Sequence, residues 1–162
     1  MASNTRFMNP STIAKPGGYS HVVETTGPGR IVYIAGQLGL KPDGSVAGDF
    51  RAQVTQAFEN LKSALAAVGA SFDDVVKINN YLTDMSHIGI FREVRDAFLH
   101  TKAPPASTTV AISALARPGA LFEIEAVAVL PAKAAAKAAT KPAAAKGKSK
   151  ASKSKASKKK KR

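Results

Sequence analysis

The stretch "ALFEIEAVAVL", residues 120–130, decides how this chain folds. Its β-branched and aromatic residues predict a strand, and successive side chains of a strand point to opposite faces. Glu123 and Glu125 therefore share one face with Val127 and Val129, while the residues between them form an entirely apolar second face. Since neither face is uniformly polar, we expect both faces of the sheet that contains this strand to be covered.

The preceding sequence alternates strands with helices. An apolar stripe predicts a helix over residues 49–68, with Asp49 as its N-cap and Gly69 just after its end. A second helix follows Ser86, which we expect to cap it, and stops before the proline pair at 104–105. Four further strands are predicted at 19–26, 30–36, 74–82 and 107–113, the first two forming a hairpin across "GPG".

The predicted element order is β-β-α-β-α-β-β, an α+β fold. The simplest architecture is a mixed sheet that carries both helices on one face. The other face keeps apolar residues from the last strand, and a half-apolar sheet face that no helix covers predicts an oligomer that buries it.

Charge divides the chain into a neutral body and a basic tail. Residues 131–162 contain 13 of the 24 Lys and Arg residues and no acid, so the whole net charge of +13 lies there. We predict an N-terminal arm over 1–18, one folded domain over 19–130 and a disordered tail over 131–162.

The uncompensated charge of the tail favours non-specific binding of nucleic acid. A solubilising appendage without a partner is the alternative. The densest run of charge ends the chain, and the residues that we expect to contact phosphates are Lys158, Lys159, Lys160, Lys161 and Arg162.

Several classes of site find no support in the sequence. There are no cysteines, and the three histidines, His21, His87 and His100, have no partner at metal-ligand spacing, so we expect no metal. No glycine-rich nucleotide motif is present, so we expect no nucleotide cofactor. No secretory signal or membrane-spanning segment is evident, which predicts a cytoplasmic protein, associated with the nucleoid if the tail binds there.

Two positions invite a functional interpretation from the residues alone. Glu123 and Glu125 either lie in water at a strand end, or one of them handles protons at the rim of a subunit interface. Gly36, in "IAGQLG", either permits close approach of a ligand to the backbone or forms a structural bulge.

Taken together, "YSHVVETTG", "IVYIAGQLGLKPDGSVAGDF", "PPASTTV" and "LFEIEAVAVL" resemble the YjgF/RidA family of reactive-intermediate deaminases, over roughly residues 15–130. The resemblance implies a chorismate-mutase-like fold and a homotrimer with three clefts between subunits. It also implies hydrolysis of small enamines and imines, such as 2-iminobutanoate, to 2-keto acids and ammonia.

The resemblance further implies roles for individual residues. Glu123 would be the carboxylate that handles water, Tyr19 and Thr109 would line the pocket, and the Gly36 backbone would face it. The family's substrate-anchoring arginine corresponds to Ser107, so this chain departs from the pattern. Arg92 in the second helix either supplies a replacement charge or is a solvated helix residue, and Arg117 of the connector before the last strand is a further arginine to consider.

Three functions follow from these observations. The first is an enzyme of this family whose substrate choice is altered by the loss of the anchor arginine. The second is a trimer that binds a small ligand without catalysis and binds nucleic acid through its tails. The third, a ribonuclease or translation inhibitor, has the least support, because the neutral body offers no histidine pair or basic cleft.

Overall fold

A computed structural model describes residues 4–132 of the chain. The two helices are α1 (Phe50–Ala67) and α2 (Ile88–Phe98), and two short 3-10 turns lie at Phe72–Asp74 and Met85–His87. The strands, in chain order, are β1 (Thr5–Met8), β2 (Val22–Thr25), β3 (Gly29–Leu38), β4 (Val75–Leu82), β5 (Ala106–Ala111) and β6 (Phe122–Pro131).

Strand β6 lies inside a four-stranded sheet of order β3-β6-β4-β5. It pairs antiparallel with β3 and β4, whereas β4 and β5 are parallel. A parallel pair needs a long crossover connection, and α2 provides it. The predicted α+β fold, a mixed sheet with two helices, is confirmed.

Both helices pack on the apolar face of β6. Phe58 of α1 and Phe91 of α2 contact Phe122, and all three side chains are fully buried or nearly so. Ile78 and Ile124 complete the same core from the sheet side. The alternation of residues 120–130 therefore predicts the correct inward face.

Helix α1 begins and ends where the sequence predicts. The Asp49 side chain accepts a hydrogen bond from the Ala52 amide at 2.9 Å, which satisfies one of the free N–H groups of the first turn. Gly69 follows the helix with φ of 74°, a left-handed conformation that glycine adopts without strain.

The predicted hairpin over 19–36 is wrong. Strand β1 lies within residues 1–18, the segment predicted as an N-terminal arm or loop. Strand β2 pairs with β1 in a separate two-stranded sheet, and β3 pairs with β6 instead. The β1–β2 pair is held by the ladder and by an ion pair between Arg6 and Glu24. The opposite charges of these two facing residues add only a small contribution to the pairing, because both side chains are largely exposed.

Ser86 does not cap the second helix. It lies inside the 3-10 turn, where its amide donates to the Asp84 carboxylate at 2.8 Å, so Asp84 is the capping residue of this segment. Helix α2 then begins at Ile88 without a side-chain cap. The Asp84 side chain forms an Asx-type turn with the Ser86 amide, and this turn places Ser86 inside the 3-10 segment instead of at the start of α2.

The face of the sheet opposite the helices is open within residues 4–132. Ile31, Tyr33 and Val110 are exposed there, Tyr33 by 79%. The strand registers place Tyr81 and Glu125 on the same face. No helix in the described part of the chain is both long and apolar enough to cross a membrane.

Candidate active site

A pocket of about 240 Å³ lies between α2, the start of β5 and the segment before β2. The volume lies below the range of about 300–1,000 Å³ that suits drug-sized ligands, so the pocket suits a small molecule. Arg95, which the sequence analysis missed, lines it together with the apolar residues Ile88 and Phe91. The pocket also brings together four of the residues singled out from the sequence, Tyr19, Arg92, Ser107 and Thr109.

Two hydrogen bonds of the neighbouring residue Ser20 hold Tyr19 at the pocket. The Ser20 amide donates to the Pro105 carbonyl at 3.2 Å, and the Ser20 hydroxyl donates to the Pro104 carbonyl at 2.7 Å. Ser20 is buried, with 2% of its surface exposed. The proline pair, which lacks backbone donors but keeps its carbonyls, thus ties the chain before β2 to the start of β5.

Ser107 and Thr109 lie on the helix-facing side of β5, and Asn80 of β4 holds both. The Asn80 amide nitrogen is 3.1 Å from Ser107 Oγ, 3.2 Å from Thr109 Oγ1 and 3.0 Å from the Thr108 carbonyl oxygen. Because the Thr108 carbonyl can only accept a hydrogen bond, the side-chain amide of Asn80 must turn its nitrogen, and not its oxygen, towards β5. Asn80 is fully buried, and it fixes the spacing of the two hydroxyls.

Arg95 is buried in the pocket wall, its side chain only 6% exposed. Its Nε donates to Asp96 at 2.8 Å, and its guanidinium lies 5.6 Å from the centre of the Phe91 ring. Gly18 makes room for it: a Cβ there would lie 2.9 Å from Cζ of Arg95 and closer still to Nη2. Arg95 follows Phe91 by four residues, so helical periodicity places both side chains on the same face of α2. This spacing is the feature of the sequence that could have indicated a buried Arg95.

Glu123 lies on the opposite face of the sheet and does not contribute to this pocket. It lines a second cavity of about 260 Å³ with Tyr81, Glu125 and the connector after β5. Gly36 packs directly against it, because a Cβ at Gly36 would lie 2.6 Å from Cδ of Glu123 and closer to Oε1. The pairing register of β3 shifts between Ile34 and Gln37, as the structural interpretation of Gly36 predicts, and the glycine leaves room for the Glu123 side chain. Close approach of a ligand to the Gly36 backbone stays a prediction.

Glu125 accepts two hydrogen bonds next to Glu123. Tyr81 Oη donates to its Oε1 at 2.9 Å, and Asn79 Nδ2 donates to the same oxygen at 2.7 Å. The hydrogen bond to Glu125 raises the pKa of Tyr81 above its usual value, because the protonated phenol is the form that donates. On the same face, burial lowers the pKa of Lys77.

Three other candidates lie away from both cavities. Arg117 donates to the Gly44 carbonyl at 3.2 Å, so it does not fill the position beside Ser107. His21 is half-buried and contacts the Ala14 carbonyl through Nε2, and His87 stacks on Phe50. Within residues 4–132, no three His, Asp or Glu side chains are grouped to hold a metal.

The predicted phosphate-contacting residues of the basic tail are not among those that the structure describes. The described part of the chain ends at residue 132, so the predicted disorder of the tail stays a prediction. The residues concerned, all outside the described range, are Lys158, Lys159, Lys160, Lys161 and Arg162.

Comparison with known families gives a clear result. The model of the family described as "Endoribonuclease L-PSP" matches residues 10–130. The chain belongs to this family, the YjgF/RidA family. The predicted membership is confirmed, and the span of the resemblance, residues 15–130, falls within the match.

Individual relatives of this YjgF/RidA protein span most of the folded body. The "Protein DfrA" of Myxococcus xanthus is 41% identical over 115 residues, which cover 70% of this chain and 86% of that protein. The mouse "2-iminobutanoate/2-iminopropanoate deaminase" is 36% identical over 115 residues, 70% of this chain and 82% of that protein. The crystal structure of a Rid-family protein from Yersinia pestis, 35% identical, covers 78% of this chain and 99% of its own with a TM-score of 0.73.

Proposed function

We propose that this protein hydrolyses small reactive imines and enamines to carbonyl compounds and ammonia. The observation that carries the proposal is the placement of Glu123 against the side-chain-free Gly36, beside a cavity on the open sheet face. The names of the deaminase relatives support the same reaction class.

The reaction asks little of the protein. Water adds to the carbon of the C=N bond, and one of its protons moves to the nitrogen, which leaves a carbon that carries both a hydroxyl and an amine. The C–N bond then breaks while the C=O bond forms, and the hydroxyl proton moves to the nitrogen, which leaves as ammonia. In our proposal the Glu123 carboxylate carries both protons, accepting each from oxygen and giving it to nitrogen.

We further propose that the site is completed by a second copy of the chain in a homotrimer. Glu123 and the pocket of Tyr19, Ser107 and Thr109 lie on opposite faces of one sheet, so no small ligand contacts both within one chain. Exposed Ile31 and Tyr33 on the Glu123 side support a covering partner. Substrate choice would differ from that of relatives with an arginine at the position of Ser107.

The test uses imines generated in place by an amino-acid oxidase, with release of keto acid and ammonia as the readout. We expect rates above the uncatalysed hydrolysis, and a loss of about 10²- to 10⁴-fold in Glu123→Gln, which keeps the shape but cannot take a proton. Glu59→Gln, on the exposed side of α1, is the matched control and should retain full activity. Absence of any rate above background, across 2-imino acids and uncharged or aromatic enamines, would refute the proposal.

We propose nucleic-acid binding by the basic tail as a second function, which the charge asymmetry of the sequence favours. Three tails in a trimer would act together and raise the apparent affinity. A variant ending at residue 130 should lose retention on DNA or RNA at low salt, while the full chain should lose it steeply as salt rises. Equal retention of the two forms would contradict this proposal without affecting the first.

A further inference from the structure

A third cavity, of about 360 Å³, lies on the open face of the sheet, over β3, β6 and β4. Its volume falls within the range of about 300–1,000 Å³ that holds small ligands. Ala35, Val127 and the ring of Tyr33 form an apolar wall. Of the described residues that line the cavity, only Lys77 and Glu125 carry a charge, so a small apolar molecule in it would lie beside a lysine amine.

The Lys77 amine is held by a neutral partner. Lys77 is half-buried, and its Nζ donates to the Thr108 hydroxyl on the neighbouring strand β5. Within residues 4–132 it forms no ion pair with a carboxylate. Because an ammonium group and a neutral amine can both donate to a hydroxyl, this hydrogen bond does not require the charged form of Lys77.

Glu125 faces the same cavity but is held by other partners. In the register of the β4–β6 pair, Glu125 lies opposite Asn79, two residues after Lys77, so Lys77 and Glu125 are diagonal neighbours at about 7–8 Å. Tyr81 and Asn79 both donate to Oε1 of Glu125. Burial lowers the pKa of Lys77, and the charge of Glu125 raises it by less. The neutral amine, which carries the reactive lone pair, is therefore more populated at Lys77 than at a lysine in water.

We infer that Lys77 captures small uncharged aldehydes in this cavity as a reversible Schiff base. A desolvated lysine amine is a nucleophile towards carbonyl carbon, and the apolar wall favours a ligand without charge. A carboxylate on the ligand would be repelled by Glu125. The inference goes beyond the proposed hydrolysis and does not involve Glu123, which lines a different cavity.

The capture needs no further reactant. The Nζ lone pair adds to the carbonyl carbon, and one Nζ proton passes to the carbonyl oxygen, which gives a carbinolamine. The nitrogen lone pair then forms the C=N bond while the C–O bond breaks, and the hydroxyl takes the second Nζ proton and leaves as water. Nothing is oxidised or reduced, and addition of water reverses the step.

The first experiment uses the natural sequence. The full chain is incubated with propanal and cyanoborohydride, which reduces any Schiff base to a stable secondary amine, and peptide mass spectrometry assigns the adducts to individual lysines. Propanal is small enough to enter the cavity even where a partner subunit covers this face. The exposed Lys41 is the internal reference for an ordinary lysine amine.

At neutral pH we expect the initial rate of adduct formation at Lys77 to exceed that at Lys41 about tenfold, because its amine is desolvated and the aldehyde is held beside it. The rate at Lys77 should also saturate as propanal is raised, whereas the rate at Lys41 should rise in proportion. Equal rates at the two lysines, or a rate at Lys77 that does not saturate, would overturn the inference.

The second experiment tests the cavity itself. Ala35 is exposed and lines the cavity, so Ala35→Leu should fill part of it and leave the fold intact, which thermal unfolding checks. We expect the rate at Lys77 to fall about tenfold, to that of Lys41. Val110→Leu is the matched control, because Val110 is exposed on the same face but does not line the cavity, and its rate should be unchanged. An undiminished rate at Lys77 in Ala35→Leu would contradict capture in this cavity.

Discussion

Replacing Gly36 with alanine tests the contact on which the proposed chemistry depends. The new Cβ would lie 2.6 Å from Cδ of Glu123, whereas unstrained carbon–carbon contacts are about 3.5–4.0 Å. The carboxylate must therefore move by about 1 Å or more. The obstacle is the end of a flexible side chain, so we expect the fold to survive at a cost of about 1 kcal/mol.

The expected effect on activity is much larger than the effect on stability. A displacement of about 1 Å at a reacting group costs on the order of 10²-fold in rate. The assay is steady-state release of keto acid from imines generated in place, with thermal unfolding measured in parallel. Gly48→Ala is the matched control, because its Cβ would meet only Ala52 at 3.9 Å, and it should keep full activity.

Two results would refute the reasoning. Full activity in Gly36→Ala would mean that the position of the Glu123 carboxylate does not matter to the reaction. Loss of activity together with a melting temperature far below that of Gly48→Ala would mean that the glycine serves the fold and not the site.

Three further predictions concern other parts of the molecule. Asn80→Ala should lower the free energy of unfolding by about 1–3 kcal/mol in urea denaturation, because it leaves the Thr108 carbonyl without its donor; no change would show that water replaces the amide. In an ultraviolet titration Tyr81 should ionise at higher pH than it does in Glu125→Gln, because loss of the charged partner should bring its pKa back towards 10.0. Since that pKa is raised in the folded state, its stabilising contribution is present below about pH 10 and is lost as the pH rises through the folded value. Gly89→Ala in α2 should raise stability by about 0.4–1 kcal/mol, as the added Cβ meets nothing within 4 Å, and a lower melting temperature would contradict this.

The resemblance and the local patterns together located the site region but not its composition. The residues Tyr19, Arg92, Ser107 and Thr109 were named from the sequence, and they line one pocket. Arg95 was missed because an arginine at a core position of a helix is interpreted as a solvated residue until the space that Gly18 leaves for it is known.

The sequence by itself determined the elements whose stabilising contacts are local. Helix α1 follows from an apolar stripe, the Asp49 cap and Gly69, all within one segment, and the inward face of β6 follows from simple alternation. Only the tertiary structure decided that β2 pairs with β1, that Ser20 ties Tyr19 to the proline pair, and that Glu123 packs on Gly36. These contacts join residues far apart in the chain, and which of several compatible partners meet depends on the packing of the whole domain, which no single segment encodes.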